Sequence, residues 1–177
     1  MKVGLVLFQA TLAIFLVSCN NEAGDSNQQS SYITESVQAS PFHLEVTAPT
    51  EVAAGEEFVS EAIVQYTGDR SIQLEYMGKK ILFFLYDQDN NLQYQTSFQE
   101  ISHTEQVEPH DSSKAEHTFS LDRGVYELVV RTAGLVVDNQ PLEGAGNESY
   151  ISDGMSDARI KEEESRITTA PITIKVN

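Results

Sequence analysis

From Pro41 onward, apolar and polar residues alternate in short runs separated by turn-forming residues. Phe42, Leu44 and Val46 alternate with His43, Glu45 and Thr47, a period of two that predicts a strand with one buried face. A turn at Ala53-Ala54-Gly55 leads to Phe58-Val59, Ala62-Ile63-Val64 and Tyr66, and Gly68-Asp69 marks the next turn. Ile72, Leu74 and Tyr76 alternate with Gln73 and Glu75. After Gly78, the run Ile81 to Tyr86 is apolar at every position, which predicts a central strand buried on both faces. The run Asp87-Gln88-Asp89-Asn90-Asn91 predicts a turn, followed by a strand from Leu92 and Tyr94 toward Phe98. His117, Phe119 and Leu121 give another alternation, Val125 to Thr132 another strand, and Ile172 to Val176 the last.

The two ends of this pattern differ from it. Residues 1–18 open with Met-Lys and continue as an apolar run from Val3 to Val17. A basic start, a short apolar core and small residues at its end predict a secretory signal peptide. The run falls short of the roughly 20 apolar residues that span a bilayer, which disfavours an uncleaved anchor. Residues 19–40 are rich in Asn, Gln, Ser and acids, and predict a flexible linker with a reach of about 25 Å as a random coil. A first strand around Tyr32 to Val37 is the other reading of that stretch. Within the domain, 41–177, residues 137–166 carry few apolar side chains and predict a long exposed excursion between the last two strands, with room for a short strand near Ala158-Arg159-Ile160.

Composition narrows the function classes. The 27 acidic and 11 basic residues give a net charge of −16, and removing the leader, with Lys2 as its one charge, takes away a further positive charge. Such a surface repels phosphate backbones and anionic headgroups, so no nucleic-acid partner is expected. A basic protein patch or a cationic ligand is the partner that charge favours. The single cysteine, Cys19, precludes an internal disulfide.

Leu16-Val17-Ser18-Cys19 resembles the lipobox of bacterial lipoproteins. The resemblance implies cleavage before Cys19, diacylglyceryl transfer to its thiol, and acylation that holds the protein to the cell membrane on its extracytoplasmic face. Two acyl chains suffice for stable anchoring. Asn20, where Asp would favour inner-membrane retention, weakens that retention in a double-membraned bacterium.

Asp122-Arg123-Gly124-Val125-Tyr126-Glu127-Leu128 resembles the immunoglobulin-type Asp-x-Gly-x-Tyr-x-Cys signature, with Leu128 in the cysteine's place. The resemblance implies a Greek-key sandwich in which Tyr126 bonds back to nearby backbone and Leu128 points inward. The family's disulfide and core Trp have no counterpart here, which favours the looser immunoglobulin-like sandwiches. Paired hydrophobic strands, an acidic turn and a late Gly-x-Tyr strand are also similar to the intracellular proteinase inhibitor domain. That likeness implies only the fold.

Candidate chemistry is sparse. His103, His110 and His117 are evenly spaced, but residues seven apart on a strand face opposite ways and Pro109 interrupts them, which disfavours a zinc site. Asp87, Asp89 and Asn91 match the first ligands of a calcium loop, yet Leu92 stands where its Gly belongs and Phe98 where its closing Glu belongs, so a hairpin turn is the favoured reading. Asp153, Asp157 and Glu162 to Glu164 are further weak calcium candidates. Gly154-Met155-Ser156-Asp157 lacks the second Gly of a nucleophile elbow. No cofactor motif is present. The sequence therefore predicts an all-β, single immunoglobulin-like Greek-key sandwich behind a signal peptide and tether, a non-catalytic binding or envelope-assembly module. Its contact surface is expected in the loops at one end and the 137–166 excursion. A proteinase inhibitor-like domain and a small envelope hydrolase using one of the three histidines are the alternatives.

Overall fold

Three antiparallel ladders account for most of the chain in the computed structural model, which describes residues 31–97, 99–143, 145–146 and 165–177. The first sheet consists of β1 (Tyr32–Ala39), β2 (Phe42–Pro49), β4 (Glu57–Tyr66) and β9 (Ser112–Ser120), in the order β1-β2-β4-β9. The second is centred on β10 (Gly124–Thr132), flanked on one side by β6 (Ile81–Asp87) and β7 (Leu92–Gln95). Its other side carries β15 (Ile172–Val176), β14 (Ile167–Thr168), β13 (Ala145–Gly146) and β3 (Glu51–Val52). The third is a small sheet of β5 (Ile72–Met77), β8 (Ser102–Val107), β11 (Val136–Val137) and β12 (Gln140–Pro141), ordered β12-β11-β5-β8. No described residue lies in a helix.

Strand order makes this an immunoglobulin-like sandwich. β4 pairs with β9 in the first sheet while β6 pairs with β10 in the second, so the chain crosses between sheets on leaving β4 and again on leaving β9. That interlocked crossing, with β15 beside β10, is the Greek-key arrangement of the family. The strand beginning at Phe42 also changes sheets. It runs antiparallel to β4 as far as Thr47, then continues as β3, parallel to β15.

The alternation of the sequence becomes the core. Leu44 and Val46 of β2, Ala62 and Val64 of β4, Phe83 and Leu85 of β6, Leu128 and Val130 of β10, and Ile172 and Ile174 of β15 are all buried between the two main sheets. Burying a Leu or Ile side chain contributes about 1.5–3 kcal/mol. β6 is apolar from Ile81 to Tyr86 because its other face is covered too: Leu82 and Phe84 join Val129 in a second buried cluster. The buried Arg131 guanidinium sits 4.7 Å above the Phe84 ring in the same layer.

Two boundaries differ from the sequence expectation. The linker drawn to residue 40 is overrun by β1, which pairs with β2 at eight positions, from Tyr32↔Pro49 to Ala39↔Phe42. Only Ile33, Val37 and Ala39 mark its inner face, because an edge strand buries little and Glu35 interrupts the pattern. The 137–166 excursion does not begin as an exposed loop. Val136–Val137 pairs with β5, Leu142 is buried, and Ser165 and Ile167 return to the core. The strand expected near residues 158–160 lies outside the described residues, as does the segment from 147 to 164.

Candidate binding surface

A cleft of about 330 Å³ opens between β5, β8 and the start of β9. Phe42, Tyr66 and Leu74 form its apolar part, and Lys80, Glu105 and Ser113 its polar part. Lys80 stands immediately before β6. Its Nζ donates to a carboxylate oxygen of Glu105 on β8 and to Ser113 Oγ on β9 at 2.7 Å. It thus ties the small sheet to the first, with only 14% of its side chain exposed. The ammonium also lies 5.2 Å from the Tyr76 ring centroid, and Tyr76 stacks on His103 at 5.2 Å. Burial first, and then the Glu105 carboxylate, raises the pKa of the Tyr76 hydroxyl.

Lys80 and Ser113 are the residue types of a Ser–Lys dyad, here joined by Glu105 as a third partner. Lys80 Nζ is also held by the Glu105 carboxylate, which ties it to β8 as well as to Ser113. The arrangement is that of a bridge between sheets.

The three histidines are kept apart by the fold. His103 is on β8, His110 in the β8–β9 turn at φ 71°, and His117 on β9. His117 faces inward, stacked on Tyr94 at 4.2 Å and edge-on to Phe119 at 4.4 Å, with Nδ1 3.2 Å from Tyr94 Oη. Its hydrogen-bonding partner is a tyrosine, not a serine. Burial, followed by the charge of Lys79, lowers its pKa.

Asp87, Asp89 and Asn91 form the β6–β7 hairpin turn. Asp87 Oδ1 accepts from the backbone N–H groups of Asp89 and Asn91, both at 2.9 Å, and Oδ2 accepts from Gln93 Nε2 at 2.7 Å. These donors, the Asn91 N–H first, lower the Asp87 pKa. The carboxylate caps a turn, and among the described residues no group of three His, Cys, Asp or Glu side chains could hold a metal. Asp153, Asp157, Glu162 to Glu164 and the Gly154-Met155-Ser156-Asp157 motif lie outside the described residues, as does Cys19.

The motif at Asp122 to Leu128 forms the entry to β10. Tyr126 Oη donates to the Asp122 carbonyl at 3.1 Å, Leu128 is wholly buried, and Gly124 leaves room for the Tyr126 ring, 3.2 Å from where a Cβ would stand. A second such tyrosine, Tyr66, donates to the Arg70 carbonyl at 2.7 Å. Sequence reasoning missed it, and it missed Lys80, Glu105 and Ser113. The available signal was a lysine set directly against a wholly apolar strand, where it must bury its stem.

No family model matches the sequence, and no curated protein matches it significantly. Solved structures with a similar arrangement include the CARDB domain of PF1109 from Pyrococcus furiosus in solution, at 12% identity and TM-score 0.37, covering 77% of this chain and 94% of that one. The same domain in a crystal with di-metal ions gives 11% identity and TM-score 0.35, covering 91% and 100%. A Bordetella pertussis protein described as ApaA gives 10% identity and TM-score 0.39, covering 84% and 92%. The fold assignment rests on the strand order, not on these distant likenesses.

Proposed function

We propose that this chain is an extracytoplasmic lipoprotein, held to the cell membrane by lipid on Cys19, whose sandwich serves as a non-catalytic binding or envelope-assembly module. The observation that carries this reading is the position of the one cysteine. It closes Leu16-Val17-Ser18-Cys19 behind a basic start and a short apolar run, and twelve residues separate it from the first strand at Tyr32. A thioether-linked diacylglyceryl group plus an N-acyl chain gives the multiple hydrophobic contacts that stable anchoring needs. The non-catalytic part is supported by Lys80, which is paired with Glu105 and bridges two sheets, and by His117, which is packed among aromatic rings. A net charge of −16 favours a basic partner surface.

Changing Cys19→Ser should release the protein from the membrane fraction or leave the leader uncleaved. Mass spectrometry of the wild-type mature chain should show a lipidated Cys19 as its first residue. An unmodified thiol, or membrane fractionation unchanged by C19S, overturns the reading.

A further inference from the structure

We infer that the outer edge of β8 is a docking edge, onto which a positively charged, extended segment of a partner protein adds as a further strand of the small sheet. This deepens the binding-module reading by naming its surface and the chemistry of its partner.

The ladder fixes which backbone groups are on offer. Gly78 N–H donates to the Ile101 carbonyl at 2.8 Å, and in an antiparallel pair the bonded positions recur every second residue. His103, Glu105 and Val107 therefore turn their amides toward β5, while Ser102, Thr104 and Gln106 turn theirs outward. The other side of β5 agrees: Asp138 N–H donates to the Gln73 carbonyl at 2.9 Å, so Gln73 and Glu75 face β11 and the alternate residues face β8. Among the described residues β8 ends its sheet, and Ser102, Thr104 and Gln106 are exposed.

Proteins usually guard such an edge with a lysine, a proline, a bulge or brevity. β8 has no lysine, proline or bulge and is six residues in unbroken register with β5; its inward-pointing charge, Glu105, is turned to Lys80. Among the described residues the other strands that end a sheet are protected, β3 and β13 by being two residues each. β7 is four residues beside an irregularity at Leu85/Tyr86, β9 carries Lys114, β12 is two residues ending in Pro141, and β1 lies against β13 and β14. A groove of about 400 Å³, lined by Ser71, Ile72 and Gln73 together with Thr104, Glu105 and Gln106, lies over the β5–β8 ladder next to this edge.

Charge selects the occupant. β5 and β8 carry Glu75 and Glu105 with no Lys or Arg, and Glu108 follows at the end of β8. Of the nearby cations, Arg70 pairs with Asp138 and Lys80 with Glu105, so Glu75 and Glu108 are the carboxylates that a basic strand would meet, while the exposed Lys79 lies just past the end of β5. A second copy would bring its own −16 against this edge, whereas a lysine-bearing strand meets complementary charge.

The test uses the intact lipoprotein in neutral detergent with a fluorescent peptide of alternating Val and Lys, and its Val-Glu counterpart as control. Anisotropy should show saturable binding of the lysine peptide that weakens at least about tenfold in high salt, with none for the glutamate peptide. Hydrogen exchange should show new protection at the Ser102, Thr104 and Gln106 amides. Thr104→Pro, which removes the central outward N–H, and Thr104→Lys, which keeps it and adds repulsion, should each weaken binding about tenfold or more. If T104P lowers the melting temperature, T104K decides. Absence of peptide binding, binding without protection of those amides, wild-type affinity in T104K, or β8-to-β8 pairing of two copies would each overturn the inference. C19S should leave peptide binding unchanged, so a failure of anchoring and a failure of this edge are told apart.

Discussion

Tyr126 Oη donates to the carbonyl oxygen of Asp122, 3.1 Å away and four residues upstream, and so fixes the entry of β10 into the second sheet. The ring crosses back over Gly124 while Leu128, two residues on, is wholly buried against the first sheet. Tyr126→Phe keeps the ring and removes the donor. Stability to urea should fall by about 0.5–1.5 kcal/mol, toward the low end because water reaches the bond. An unchanged denaturation midpoint would show that the bond contributes nothing net.

Gly68 is needed for space. A Cβ there would stand 2.1 Å from Tyr66 Oη and 2.3 Å from Cζ, and the Tyr66 ring is held by Phe42 and by its bond to Arg70. Gly68→Ala should cost about 1–3 kcal/mol, the range for forcing extra volume into a packed site. Paired with Tyr66→Leu, it should cost much less than the sum of the single changes. Strict additivity in that cycle would refute the clash.

Glu105→Gln should loosen the small sheet by leaving the Lys80 ammonium poorly compensated. The expected loss is about 1–3 kcal/mol, below the figure for a fully buried pair because Glu105 is 38% exposed on its side chain. Lys80→Met combined with Glu105→Leu should recover most of it. A double variant no better than E105Q would mean that packing, not charge, holds the bridge.

His117 gives stability a dependence on pH. Its folded pKa lies below the ordinary 6.5, so the unfolded chain takes up the proton first. Stability from this group is complete above pH 6.5, falls as the pH drops toward the folded value, and then levels off. Melting curves taken downward from neutral pH should show this loss, and His117→Phe should flatten it. An equal slope in H117F would place the titration elsewhere.

Asp87 has the same sign in a lower window. Its folded pKa is below 3.8, so its contribution is present above 3.8 and is lost as the pH falls through the folded value. Asp87→Ala should speed exchange of the Asn91 amide, whose N–H it now accepts. With both carboxylate oxygens occupied by hairpin donors, calcium should leave the melting temperature unchanged. A calcium-induced rise abolished by D87A would restore the metal reading.

Legibility in the sequence followed burial. β2, β4 and β5 each bury one face, so their alternation was visible at Phe42, Phe58 and Ile72, and β6 was visible because both its faces are covered. β1 was legible only as the alternative strand around Tyr32 to Val37 and β8 was given no element, because edge strands pair on one side and bury little. A motif confined to seven consecutive residues around Tyr126 could be read directly, since chain connectivity alone places its parts together.

By itself, then, the sequence determined an all-β pattern, the turn chemistry at Asp87 and the tyrosine at the entry to β10, all of which act over a few neighbouring residues. Only the tertiary structure decided that Lys80, Glu105 and Ser113 meet, that the three histidines do not, and that β8 ends its sheet among the described residues. Those depend on which strands lie next to each other across two sheet crossings, and that choice is made by packing the whole core at once, not by any local spacing.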